Sequence, residues 1–297
     1  MPEIRTVTVI GAGTMGRGIA EVSAVAGFQT VLYDVDPGQL ERAVAAIAAN
    51  FDRAVAADPP RLSADAAAAA RARIRTTTDF DEAARAGDAA IEAVPELLDL
   101  KLDVFRRLDA AAAAGALLAS NTSTMSITKL AGATGRPERV VGMHFFNPVP
   151  RLKLVEVIRG ERSAQEAVDR AVELARRLGK DPIVVKDSPG FASSRLGVAL
   201  GNEAMRMLEQ GVASATDIDK AMRLGYNHPM GPLELADLVG LDARLNNARY
   251  LDGTLGEAQF QPPAILERLV AEGHLGRKTG RGFYHYDASG KKLGEAI

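Results

Sequence analysis

The chain has 297 residues, 47% of them hydrophobic and 25% charged, so it exceeds one ordinary domain and can bury a sizeable core. A formal net charge of -2 offers no broad basic field for nucleic acid or an anionic membrane surface. The absence of cysteine excludes disulfides, thiolate nucleophiles and Cys-ligated zinc together.

The opening segment MPEIRTVTVIGAG enters a strand with no basic and apolar leader pattern, and no apolar run reaches the length of a membrane span, which predicts a soluble, cytoplasmic protein. Short apolar runs recur at TVTVIG (6–11), QTVLYD (29–34), AAIEAV (89–94), ALLAS (116–120), RVVGMHFF (139–146), KLVEVI (153–158) and PIVVK (182–186). Helical stretches separate them, and the alternation predicts an α/β unit, a mostly parallel Rossmann-like sheet covered by helices. Between Asp34 and Ala89 an Ala/Arg-rich stretch, interrupted by Pro59-Pro60, carries apolar positions every three to four residues and predicts a helical-hairpin excursion. Beyond Lys186 the strand signals stop. Ser188 is the expected N-cap, with Pro189 at N1, of a helix running to Gly211; SATD then opens a run that ends at Gly225. These signals divide the chain into an α/β domain, 1–187, and an all-helical domain, 188–297, whose tail DASGKKLGEAI reads as frayed.

Gly11, Gly13 and Gly16, with Thr14 and Met15 between them, stand in G-x-G-x-x-G order after a strand and before a helix. Gly11 permits the tight turn, Gly13 lets the backbone approach a pyrophosphate, and Gly16 lets helix and strand pack closely; the helix N-terminus faces the anion. Asp34, roughly 20 residues on at the end of the second strand, can accept from both ribose hydroxyls, and its charge repels a 2'-phosphate. NAD is therefore the expected cofactor.

In GMHFFNP (142–148), His144 ends an apolar strand, where sites in open α/β sheets gather. Glu156 lies inside the apolar LKLVEVI and needs a partner, because a lone buried carboxylate costs several kcal/mol. The bend NPVP (147–150) returns the chain, so the two can meet as a base held by an orienting acid; a purely structural ion pair is the competing reading. Upstream, Ser120, Asn121, Thr122 and Ser123 cluster after another strand, as substrate donors, as a helix N-cap before SITKLA, or as both.

With these residues in view, the chain resembles the short-chain L-3-hydroxyacyl-CoA dehydrogenase family, 3-hydroxybutyryl-CoA dehydrogenases included. The likeness runs through VIGAGTMGRGIA, EAVPE, SNTS, GMHFFNPVPRLKLVEVI, KDSPGF, HPMGPLELADLVGLD and GRKTGRGFY. It implies oxidation of an acyl-CoA substrate's 3-hydroxyl, with His144 taking the proton and Glu156 orienting and charge-stabilising the imidazole. Ser123 matches the position whose hydroxyl contacts the reacting oxygen, Asn121 lies beside it, and Glu96 and Lys101 match cofactor-side positions. The family also implies a homodimer through the helical domain. One position departs: the helix after PGF carries Ser194 where the family has Asn, so the shorter side chain offers a different contact near the substrate. Cousins of similar architecture act on free hydroxy acids or sugar acids, and related crystallins keep the fold without the activity.

Overall fold

Parallel strands covered on both faces must be apolar throughout, and the six central apolar runs become strands of that kind. In the computed structural model, which describes residues 3–297, the first unit holds β1 (Thr6–Ile10), β2 (Gln29–Tyr33), β3 (Ile74–Thr77), β4 (Ala89–Glu92), β5 (Leu117–Ser120), β6 (Val140–Phe145), β7 (Leu154–Arg159) and β8 (Asp181–Lys186). They form one sheet in the order β3-β2-β1-β4-β5-β6-β7-β8. Every neighbouring pair is parallel except β6 and β7, which run antiparallel. The order reverses between β1 and β4, and the carboxyl ends of those strands are where a ligand crevice opens in such sheets.

Helices α1 (Thr14–Val25), α2 (Pro37–Val55), α3 (Ala64–Ala72), α4 (Phe80–Ala86), α5 (Leu98–Ala111), α6 (Ile127–Ala131) and α7 (Gln165–Arg177) cover both faces. One core joins Val7, Val9, Ile19, Ile47, Phe51 and Leu174; the other joins Ile10, Val31, Phe80, Phe105 and Leu130. The excursion is the pair α2 and α3. Asp36 caps α2 by accepting from the Gly38 amide at 2.9 Å, with Pro37 in the first turn. Its buried face, Leu40, Ala43, Ile47 and Phe51, packs on the sheet's helices, and each large side chain there contributes about 1.5–3 kcal/mol. The sequence placed no strand between Asp34 and Ala89, yet β3 lies there. Ile-Arg-Thr-Thr has no apolar run, and pairing with β2 makes it an edge strand.

The second unit, from Ala192 to Ile297, comprises α8 (Ser193–Glu209), α9 (Ala215–Gly225), α10 (Pro232–Val239), α11 (Leu241–Leu255), α12 (Ala264–Ala271) and a hairpin of β9 (Tyr284–Tyr286) and β10 (Lys292–Glu295). Three expectations need correction. Ser188 and Pro189 do not start a helix: the Phe191 amide donates to the Ser188 carbonyl at 2.8 Å, and Gly190 and Phe191 take φ of 72° and 50°, left-handed values that stop helical propagation. The second unit is helical but not wholly so. Its tail is not frayed, because β10 pairs with β9 and Glu295 accepts from the Thr216 amide at 2.6 Å.

Two buried carboxylates fasten that hairpin. Asp219 accepts from the amides of Leu233 (2.8 Å) and Glu234 (2.9 Å) and from the Tyr284 hydroxyl (2.7 Å). Asp237 accepts from the amides of Phe283 and Tyr284 and from the Tyr286 hydroxyl, each at 3.0 Å. Burial outweighs these donors, raising Asp219 and pushing Asp237 up to about 6. Asp237→Ala strands two amides and a hydroxyl, each worth about 1–3 kcal/mol when left unmade. We expect at least about 3 kcal/mol of lost stability in urea unfolding; a loss under about 1 kcal/mol contradicts the fastening role. Because the folded state holds the Asp237 proton more tightly than the unfolded chain, the group's contribution is largest at acid pH. It declines as pH rises from the ordinary carboxyl value of 3.8 to about 6 and is level above that.

Candidate active site

The glycine loop follows directly from β1. Gly11 has φ of 104°, and a Cβ there would lie 2.8 Å from the Ala93 carbonyl oxygen, so only glycine fits between β1 and the end of β4. A Cβ on Gly16 would fall 1.7 Å from the Gly11 oxygen, which is the close helix-strand packing the motif requires. Over Gly13 the space is open, and no side chain caps the first turn of α1 there. Open space above uncapped helix amides fits a pyrophosphate. Asp34 borders the same loop: its Oδ2 accepts from the Ala12 amide at 2.8 Å and its Oδ1 from the Asp36 amide at 3.0 Å. Thr14 opens α1, and Met15 follows it into the cleft described below.

Next along the sheet edge stands a charged knot. Glu92 ends β4 and is fully buried; its Oε1 accepts from Lys101 Nζ at 2.6 Å and the Val94 amide at 2.8 Å, its Oε2 from Ser120 Oγ at 2.6 Å. Burial raises this carboxyl despite the lysine. Lys101 Nζ also reaches Glu96 at 3.1 Å. Burial acts to raise Glu96, but the Lys101 charge and the hydrogen bonds from Thr122 and the Ser123 amide hold it below its ordinary value. Glu92 was not singled out in the sequence, although an acid inside AAIEAV is the same signal that marked Glu156. Lys101→Met leaves Glu92 buried without its cation, a change that costs about 3–5 kcal/mol. Urea unfolding measures it, and wild-type stability in the variant overturns the pairing.

The Ser120–Ser123 cluster separates into distinct jobs. Asn121 Oδ1 accepts from the Phe145 amide at 2.9 Å, tying the end of β5 to β6. Thr122 Oγ1 donates to Glu96 and accepts from the Met125 amide at 2.9 Å. The N-cap of α6 is Ser126, not a member of the cluster. No side-chain hydrogen bond occupies Ser123 among the described residues, and it lines the cleft with His144.

His144 and Glu156 face each other as directly paired residues of β6 and β7. Their contact, Nδ1 to Oε2, is 2.7 Å, and Glu156 is fully buried. The imidazole is packed by Phe146 and Phe191 at ring-centroid distances of 4.5 and 6.0 Å. With Nδ1 engaged, Nε2 is the ring nitrogen left for chemistry. Met15, Glu96, Lys101, Asn121, Ser123 and His144 line one cleft of about 370 Å³, together with Phe146 and Asn147, which the sequence had not marked as site residues. Lys180 sets the loop behind it by donating to the Val149 carbonyl and, at 2.9 Å, to that of Leu152. Ser194 belongs to the second unit, in the first turn of α8. The described residues contain no group of three or more His, Asp or Glu able to hold a metal.

Two family models cover nearly the whole chain: the 3-hydroxyacyl-CoA dehydrogenase NAD-binding domain over residues 6–188 and the C-terminal domain of the same family over 190–286. The probable 3-hydroxybutyryl-CoA dehydrogenase of Bacillus subtilis is 42% identical over 285 residues, 96% of this chain and 98% of that one. The mitochondrial hydroxyacyl-coenzyme A dehydrogenase of Sus scrofa is 41% identical, covering 95% of this chain and 91% of its own. The crystal structure of (S)-3-hydroxybutyryl-CoA dehydrogenase from Ralstonia eutropha superposes with a TM-score of 0.92 at 43% identity, covering 96% of this chain and all of that one.

Proposed function

Since this chain belongs to the 3-hydroxyacyl-CoA dehydrogenase family, we propose that it interconverts (S)-3-hydroxyacyl-CoA and 3-ketoacyl-CoA in short-chain acyl-CoA metabolism, with 3-hydroxybutyryl-CoA the simplest substrate. It is an NAD-dependent oxidoreductase. NAD would supply the hydride acceptor; Gly11, Gly13, Thr14, Met15 and Gly16 would hold its pyrophosphate, Asp34 would accept from its ribose, and Glu96 and Lys101 are the further residues that would contact it. His144 takes the 3-hydroxyl proton on Nε2 while Glu156 stabilises the imidazolium through Nδ1. Ser123 donates to the reacting oxygen, and Asn121 holds the strand ends in register. The 2.7 Å contact of His144 with a fully buried carboxylate, in the cleft that holds Ser123, carries this reading. Ser194 meets the thioester side of the substrate.

The test is NADH oxidation with acetoacetyl-CoA, longer 3-ketoacyl-CoAs and free acetoacetate side by side, with product identification. Consumption of the CoA esters and formation of 3-hydroxyacyl-CoA support the reading; turnover of free acetoacetate alone, or of nothing, overturns it. The Asp34 carboxylate also sets cofactor choice. NAD is preferred to NADP in kcat/KM, and Asp34→Ala narrows the ratio by about 10-fold, the worth of a charged hydrogen bond. Equal wild-type values for the two cofactors contradict this.

A cytoplasmic homodimer joined through the second unit completes the proposal. Exposed Leu196, Val212, Leu224 and Tyr226 on that unit supply apolar surface for it. No described helix is long and apolar enough to cross a membrane.

A further inference from the structure

Lys180 stands between α7 and β8 and is 8% exposed, with its backbone amide donating to the Ala175 carbonyl at 3.0 Å. The next residue, Asp181, opens the ladder in which β8 runs parallel to β7 and places Ile183 opposite Glu156. The Lys180 Nζ donates to two carbonyls of a single turn, those of Val149 and, at 2.9 Å, Leu152. Burial pulls the amine below its ordinary value, Lys153 adds to that, and Glu21 on α1 opposes it. A buried ammonium is costly, and an apolar side chain of the same length would fill the space without that cost. What the lysine adds is a fixed point for the turn.

That turn, residues 146–153, connects His144 on β6 to Glu156 on β7. Within it the amides of Arg151 and Leu152 donate to the Pro148 carbonyl at 3.0 and 3.1 Å. Its first residue, Phe146, packs on the imidazole at 4.5 Å, so any shift of the turn reaches the base directly. Helix α1 bears on the same turn. Val149 is 2% exposed, and a Cβ on Gly18 would lie 2.9 Å from Val149 Cβ and 3.0 Å from its Cγ2, so the glycine is what lets helix and turn meet this closely. The turn is held between a helix that starts at the glycine loop and a lysine that precedes β8.

We propose that Lys180 is a positioning residue for the reaction: by bracing the 146–153 turn against α1 it keeps His144 and Glu156 in their 2.7 Å contact and the imidazole fixed in direction. The inference rests on the function proposed above, because it takes His144 as the proton acceptor. A reacting group misplaced by about 1 Å costs on the order of 100-fold in rate, so the loss falls on the chemical step and not on binding.

The test compares Lys180→Met, which keeps the length of the side chain and removes its donors, with Lys180→Arg, which restores donors, in single turnovers of NADH-saturated enzyme with acetoacetyl-CoA. Lys180→Met should slow the turnover by about 10-fold or more while the Kd for NADH and the KM for acetoacetyl-CoA stay within about twofold of wild type, and Lys180→Arg should recover to within about 3-fold. NMR of histidine-labelled enzyme reads the pair itself: the His144 Nδ1 proton, assigned by its loss in His144→Ala, should resonate at low field in wild type and Lys180→Arg and move or broaden in Lys180→Met. A wild-type rate in Lys180→Met overturns the inference, as does a slowed rate with an unmoved resonance or a loss shared equally by NADH affinity. Should Lys180→Met not fold, Gly18→Ala presses on Val149 from α1; the same slowing and the same change in resonance are expected, and a wild-type rate overturns the inference. Each of these failures leaves the proposed function standing. A wild-type enzyme that does not reduce acetoacetyl-CoA brings down the proposed function, and the inference with it.

Discussion

His144→Ala lowers turnover of acetoacetyl-CoA by about 100- to 10,000-fold, the range for a general acid-base group, and leaves NADH binding within a factor of about two of wild type. The reason lies in how the imidazole is held. Its Nδ1 is 2.7 Å from Glu156 and its ring is packed by Phe146 and Phe191, so the remaining nitrogen is fixed in direction before substrate arrives. Alanine removes the only imidazole in that cleft but touches neither the glycine loop nor Asp34. Steady-state rates and NADH fluorescence titration on the same preparation separate the two effects. Turnover within a few-fold of wild type would return His144 to a structural ion pair.

Much of this site was legible in the sequence because its signals are local. The glycines had a strand before them and a helix after, and their packing distances depend on short-range geometry that G-x-G-x-x-G encodes. The pairing of His144 with Glu156 was readable because a buried acid demands a partner and NPVP returns the chain; the antiparallel register puts the two directly opposite. The same argument applied to AAIEAV would have found Glu92, whose partners Lys101 and Ser120 stand 9 and 28 residues away. Other features were decided by tertiary contact. β3 has no apolar pattern and exists because β2 offers it a ladder, and the C-terminal hairpin is fastened by Asp219 and Asp237 far upstream in sequence. The helix start at Ser193 turned on left-handed Phe191, a conformation that a phenylalanine does not advertise.

The role proposed for Glu156, a buried carboxylate that makes His144 the proton acceptor, is probed by Glu156→Gln. The amide keeps the size of the side chain and can still contact Nδ1, but it carries no charge to stabilise an imidazolium and permits the unproductive tautomer. Replacing the acid behind a catalytic imidazole costs up to about 10,000-fold, so a large drop is expected even in a well-folded variant. The measurement is NADH formation in a single turnover, with NAD-saturated enzyme mixed in excess over 3-hydroxybutyryl-CoA, which excludes product release from the observed rate. The rate is expected to fall by about 100-fold or more while NAD binding is unchanged. A rate within a factor of about two of wild type would contradict it.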